Sequence, residues 1–73
     1  MMGAAKYMVT IRFATDLYPT CYFFHEAPLA NRFYYNKRET YAESDLFAGS
    51  QVKLWRLSDD GQHWDLKLSS DNA

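Results

Sequence analysis

The side chains able to do chemistry are few and scattered. His25 stands beside Glu26, the second histidine is His63, and Cys21 is the sole thiol. A histidine next to a carboxylate is the beginning of general acid–base chemistry, but a catalyst also needs a nucleophile or a held substrate proton within hydrogen-bond reach. No third group follows at a spacing that would supply one. The chain contains no His-Glu-x-x-His segment, no Cys or carboxylate grouping at metal-ligand spacing, no glycine-rich phosphate loop and no serine nucleophile elbow. His25 and His63 can share the outer face of a sheet, yet two imidazoles neither complete a zinc site nor make an acid–base mechanism. Both read as polar strand-end groups, and Cys21 as a small buried or half-buried hydrophobe. The expectation is a non-enzymatic chain with no catalytic residue, metal or cofactor.

What remains is contact chemistry. Two Trp, six Tyr and five Phe stand in 73 residues. A chain of this size hides about 60% of its unfolded surface, and each aromatic buries about 150–250 Å². Several of these rings fall on both phases of the predicted strands, more apolar surface than one small core needs, and the excess points to binding. Eight Lys and Arg against nine Asp and Glu give a net charge of -1, which argues against a domain dominated by attraction to nucleic acid or anionic lipid. One cysteine closes no intramolecular disulfide, no apolar run approaches the roughly 18 residues of a membrane span, and the first residues lack the regions of a signal peptide. These features set the expectation of a cytoplasmic chain with no membrane partner.

The elements that must position these rings follow from periodicity. Tyr7, Val9, Ile11 and Phe13 alternate with Lys6, Met8, Thr10 and Arg12, the period-2 pattern of a half-buried strand. Pro19 belongs to a connection, and Thr20 to His25 reads as a second strand in a hairpin with the first. Pro28 opens a run in which Leu29, Ala30, Phe33, Tyr34 and Tyr41 recur at helical spacing, about four turns ending between Tyr41 and Asp45. The start lacks a strong cap, and Glu26 is the nearest acid. Leu46, Phe47 and Gly49 suggest an irregular turn leading to a third strand, Gln51 to Leu57, apolar on both phases and therefore interior. Asp59, Asp60 and Gly61 form a hydrated turn, and a fourth strand runs from His63 to Leu68. One domain spans residues 5–69, with residues 1–4 and 70–73 as flexible termini.

The predicted fold is α+β, a four-stranded antiparallel sheet with one helix packed on one face, in the order ββαββ. The helix side takes Tyr7, Val9, Ile11, Phe13, Tyr22, Phe24, Val52, Leu54, Trp64, Leu66 and Leu68 against Leu29, Phe33, Tyr34 and Tyr41. The other side then holds Met8, Phe23, Trp55 and Leu57 with Lys6, Thr10, Arg12, Lys53, His63 and Lys67, an apolar centre with a basic rim. The expectation is a small protein-binding domain, in keeping with an inhibitor or adaptor, or a self-associating one. Its partner-binding residues are Phe23, Trp55 and Leu57 as anchors and Arg12, Lys53 and Lys67 as flanking charges. The alternative is single-stranded nucleic-acid binding, with Phe23 and Trp55 stacking on bases while Lys6, Arg12, Lys53 and Lys67 meet phosphates.

Overall fold

The computed structural model describes residues 5–72, so the expected loose segment at 1–4 and the terminal residue 73 lie outside the described residues. Strands β1 (Tyr7–Arg12) and β2 (Thr20–Phe24) are followed by the helix α1 (Ala27–Lys37), and β3 (Gln51–Leu57) and β4 (Trp64–Asp71) complete the chain. All pairings are antiparallel, in the sheet order β2-β1-β3-β4. The predicted ββαββ architecture is the observed one, with β1 and β3 interior and β2 and β4 as edges.

The helix starts as its sequence dictates. Glu26 occupies the cap position in an extended conformation without a side-chain cap bond, and Pro28 sits in the first turn, where its missing N–H costs nothing. At Arg38 the chain widens into a π-helical turn, Arg38–Ala42, closed by the Glu43 N–H donating to the Arg38 carbonyl at 3.0 Å. The Arg38 guanidinium reaches Glu43 Oε1 at 2.7 and 3.0 Å across the same five-residue step. That hydrogen bond, with the carboxylate's charge behind it, raises the guanidinium pKa above its ordinary value. A 3₁₀ turn, Asp45–Phe47, follows. Gly49 then takes a φ of +87°, and a Cβ there would lie 2.8 Å from the Ala14 Cβ, so both the turn and the close approach require glycine.

The core lies between α1 and one face of the sheet. Val9, Ile11, Val52 and Leu54 pack against Ala30 and Tyr34, with Tyr7, Phe13, Phe24, Phe33, Tyr41 and Leu68 around them. Tyr34 is 2% exposed, and its hydroxyl meets Ser70 Oγ at 2.6 Å, so the one polar atom of a buried ring is satisfied. Leu29, expected in this layer, is instead about half exposed. Ala30 and Tyr34 face the sheet centre, which leaves Leu29 one step round the helix, beside Phe24 of the edge strand.

The fourth strand departs most from expectation. Its pairing with β3 shifts register between Leu54 and Trp55, where Leu68 lies opposite Leu54 but Leu66 lies opposite Trp55. Lys67 is the extra residue of a β-bulge. A bulge moves every residue beyond it to the other phase, so Leu68 faces the helix as expected while Leu66 and Trp64 turn to the opposite side. β4 also continues through Ser69, Ser70 and Asp71, which the sequence assigns to a polar tail. Asn72 ties the strand end down by donating its side-chain amide to the carbonyls of Tyr41 and Ser44.

Candidate functional site

The side of the sheet away from α1 carries no covering element among the described residues, and its register arranges side chains in rows. Phe23, Met8, Trp55 and Leu66 stand side by side across all four strands. The next row is Cys21, Thr10, Lys53 and Ser69, and Arg12, Gln51 and Asp71 follow; Cys21, expected to be buried or half-buried, is exposed because its strand is an edge. On the other flank of the apolar row, Leu57 pairs with Trp64. The surface therefore grades along the strands from aromatic to charged.

Two contacts organise the aromatic end. The Trp55 indole donates its Nε1–H to Thr10 Oγ1 at 2.9 Å, which holds the ring down over β1 and leaves Thr10 buried. Phe23 and Trp64, from the two edge strands, lean toward each other over the face with ring centroids 6.0 Å apart. Beside them opens a cavity of about 470 Å³ lined by Met8, Thr10, Cys21, Trp55 and Trp64, with Arg12, Gln51 and Lys53 at its polar end and Pro19 closing a side. That size lies within the range of pockets that accept a small molecule or a protruding side chain.

Of the six expected partner-binding residues, Arg12, Lys53 and Trp55 line this cavity. Phe23 stands at its rim through Trp64, and Leu57 is the register partner of Trp64 at the far end. Lys67 is the bulged residue of the edge strand and does not line the cavity. Trp64 is the site residue that sequence reasoning placed in the core. Strict alternation back from Leu68 assigns it to the helix side, and nothing in Asp65-Leu66-Lys67 marks a bulge. Neither Arg12 nor Lys53 has an ion-pair partner among the described residues, so their charges are available to an incoming group.

The histidines do not meet. His63 lies in the β3–β4 hairpin with Nε2 at 3.4 Å from Asp65 and Nδ1 at 3.9 Å from Asp60, while His25 follows the opposite edge strand. Asp60 organises the hairpin turn by accepting from the Ser58 hydroxyl and from the Gln62 N–H at 2.9 Å. These bonds favour its ionised form, the Ser58 hydroxyl first and the Gln62 amide second, and hold its pKa below the ordinary carboxylate value. Among the described residues no group of three His, Cys, Asp or Glu side chains is arranged to hold a metal ion, and no helix is long and apolar enough to cross a membrane. No protein-family model, curated protein or solved structure matches this chain.

Proposed function

We propose that this chain is a small non-enzymatic protein-binding domain, an inhibitor or adaptor. It takes an extended segment of a partner protein on the outer sheet face. An apolar side chain of the segment enters the cavity between Trp55 and Trp64, and a neighbouring acidic group meets Arg12 and Lys53. The observation that carries this reading is the pairing, in one uncovered cavity, of two half-buried tryptophans with two cations that have no partner among the described residues. A desolvated aromatic anchor beside a charged rim is the usual division of labour in protein interfaces. Exposed, unpaired Cys21 fits a reducing, cytoplasmic setting. What favours a protein segment over single-stranded nucleic acid is that the rings are engaged with one another and with Thr10, not spread as open stacking platforms. The net charge of -1 points the same way.

The test is capture from nuclease-treated host lysate with the intact chain and with the Lys53→Glu and Trp64→Ala variants. Each captured protein is then purified and titrated against tryptophan fluorescence. A partner that quenches the intact chain and is lost with both folded variants supports the reading. Quenching by short single-stranded RNA or DNA with steep salt dependence, and no retained protein, would replace it with the nucleic-acid alternative.

A further inference from the structure

Among the described residues, Leu17, Tyr18, Tyr22 and Phe23 are exposed and lie in β2 or just before it, and exposed Leu29, in the first turn of α1, lies beside Phe24 of that strand. β2 is an edge strand whose sequence, Thr-Cys-Tyr-Phe-Phe, holds no charge, no proline and no bulge, three of the devices that keep an edge from pairing, and is guarded only by its shortness. The opposite edge has two of them, with Asp65, Lys67 and Asp71 as charges and the bulge at Lys67.

The hydrogen-bond phase of β2 can be read from its neighbour. The Leu57 N–H donates to the Lys6 carbonyl at 2.8 Å, which assigns Met8, Thr10 and Arg12 to bond β3 and leaves Tyr7, Val9 and Ile11 to bond β2. Their register partners are Phe24, Tyr22 and Thr20. Cys21 and Phe23 therefore turn their backbone N–H and C=O groups to the open edge.

We infer that β2 pairs antiparallel with β2 of a second copy of this chain, about a two-fold axis at Tyr22. This register sets Cys21 of each copy opposite Phe23 of the other, so every outward backbone group of both strands is bonded. Centring the axis on Cys21 would bring in Pro19, which has no N–H, and centring it on Phe23 would bring in His25, beyond the end of the strand. A strand this short falls below the about 800 Å² per partner of a stable interface. The Tyr22 register adds to it, because residues 18 and 26 are equally far from the axis. The Leu17–Tyr18 connection of each copy is thereby carried toward the Glu26–Leu29 segment of the other. One act covers the exposed side chains at both ends of β2. The product is an isologous dimer with one continuous sheet, both helices on the same face, and Cys21 and Pro19 of each outer-face cavity at the seam. The inference does not depend on what that cavity binds.

The test uses the full chain, with light scattering and sedimentation equilibrium over a wide concentration range. The mass is expected to rise from 8.6 kDa toward twice that value. A short bifunctional maleimide should link the two copies of Cys21, which this register holds on diagonal positions about 7–8 Å apart. Cys21→Pro removes an outward N–H without touching a bond to β1, and Phe23→Lys sets a charge on the edge. Each should weaken association about tenfold or more with the far-ultraviolet circular dichroism kept. A monomer at every concentration overturns the inference. So does a dimer that gives no Cys21 cross-link and is indifferent to whichever of the two variants folds.

Discussion

The two faces of the sheet are made by the same strands and held by different means. On the helix side, Val9, Ile11, Val52 and Leu54 close onto Ala30 and Tyr34 with almost no surface left to solvent. On the outer side, only Thr10 is buried, while Phe23 and Leu66 remain 58% and 50% exposed. A close-packed layer loses dispersion contacts and leaves a cavity when it is truncated, whereas an open layer relaxes or hydrates. Close packing and exposed apolar surface are thus divided between the faces, and substitutions on the outer side should cost little of the fold.

The strongest way to break this division is to truncate Tyr34, the ring that fills the closed layer and hydrogen-bonds Ser70. Tyr34→Ala should cost about 3–5 kcal/mol in denaturant unfolding, a large part of the stability of a small domain. An unmoved unfolding midpoint would mean that the closed layer is no better packed than the open one. Next in size, Ile11→Ala should cost about 2–5 kcal/mol in denaturant unfolding, while Leu66→Ala should cost less than about 1 kcal/mol. Equal losses would erase the distinction. A finer measure is Trp55→Phe, which keeps a ring over Thr10 but removes the donated N–H. It should cost about 1 kcal/mol, and a Thr10→Val partner substitution should add little because both changes remove one bond.

The smallest effect concerns the hairpin turn that brings β4 back. The Asp60 carboxyl has a folded pKa below its unfolded value, so its contribution is fully present above the ordinary carboxylate value and disappears as pH falls through the lowered folded one. The Gln62 amide resonance should therefore titrate with an acid midpoint below the ordinary carboxylate value. Ser58→Ala should move that midpoint upward, since the Ser58 hydroxyl is the largest cause of the shift. An unmoved midpoint would show that the turn is organised by its backbone alone.

Much of the fold was legible because it rests on period. Tyr7 to Phe13 alternates cleanly, and Gln51 to Leu57 is apolar on both phases because β3 is interior with one face on the core and the other under Trp64. The candidate site was legible in Arg12, Lys53 and Trp55, whose strands keep an unbroken phase. It was not legible in Trp64, since a bulge is one residue of backbone geometry with no composition of its own. Ser69, Ser70 and Asp71 carry no strand propensity, and only the pairing offered by Gln51 to Lys53 and the Tyr34–Ser70 bond draws them into β4. Leu29 was misplaced for a different reason. Its spacing fits the helical stripe, but which side of the stripe meets the sheet depends on where the helix axis lies over the strands.

The bulge at Lys67 also has a genetic reading. Gaining or losing a single codon is ordinarily tolerated in surface loops and ruinous inside strands. Here the extra residue is taken up as a bulge, so Trp64 and Leu66 stand on the face that they would keep if Lys67 were missing, and Leu68 stays on the other. An edge strand can in this way change its length by one residue without exchanging its interior for its exterior.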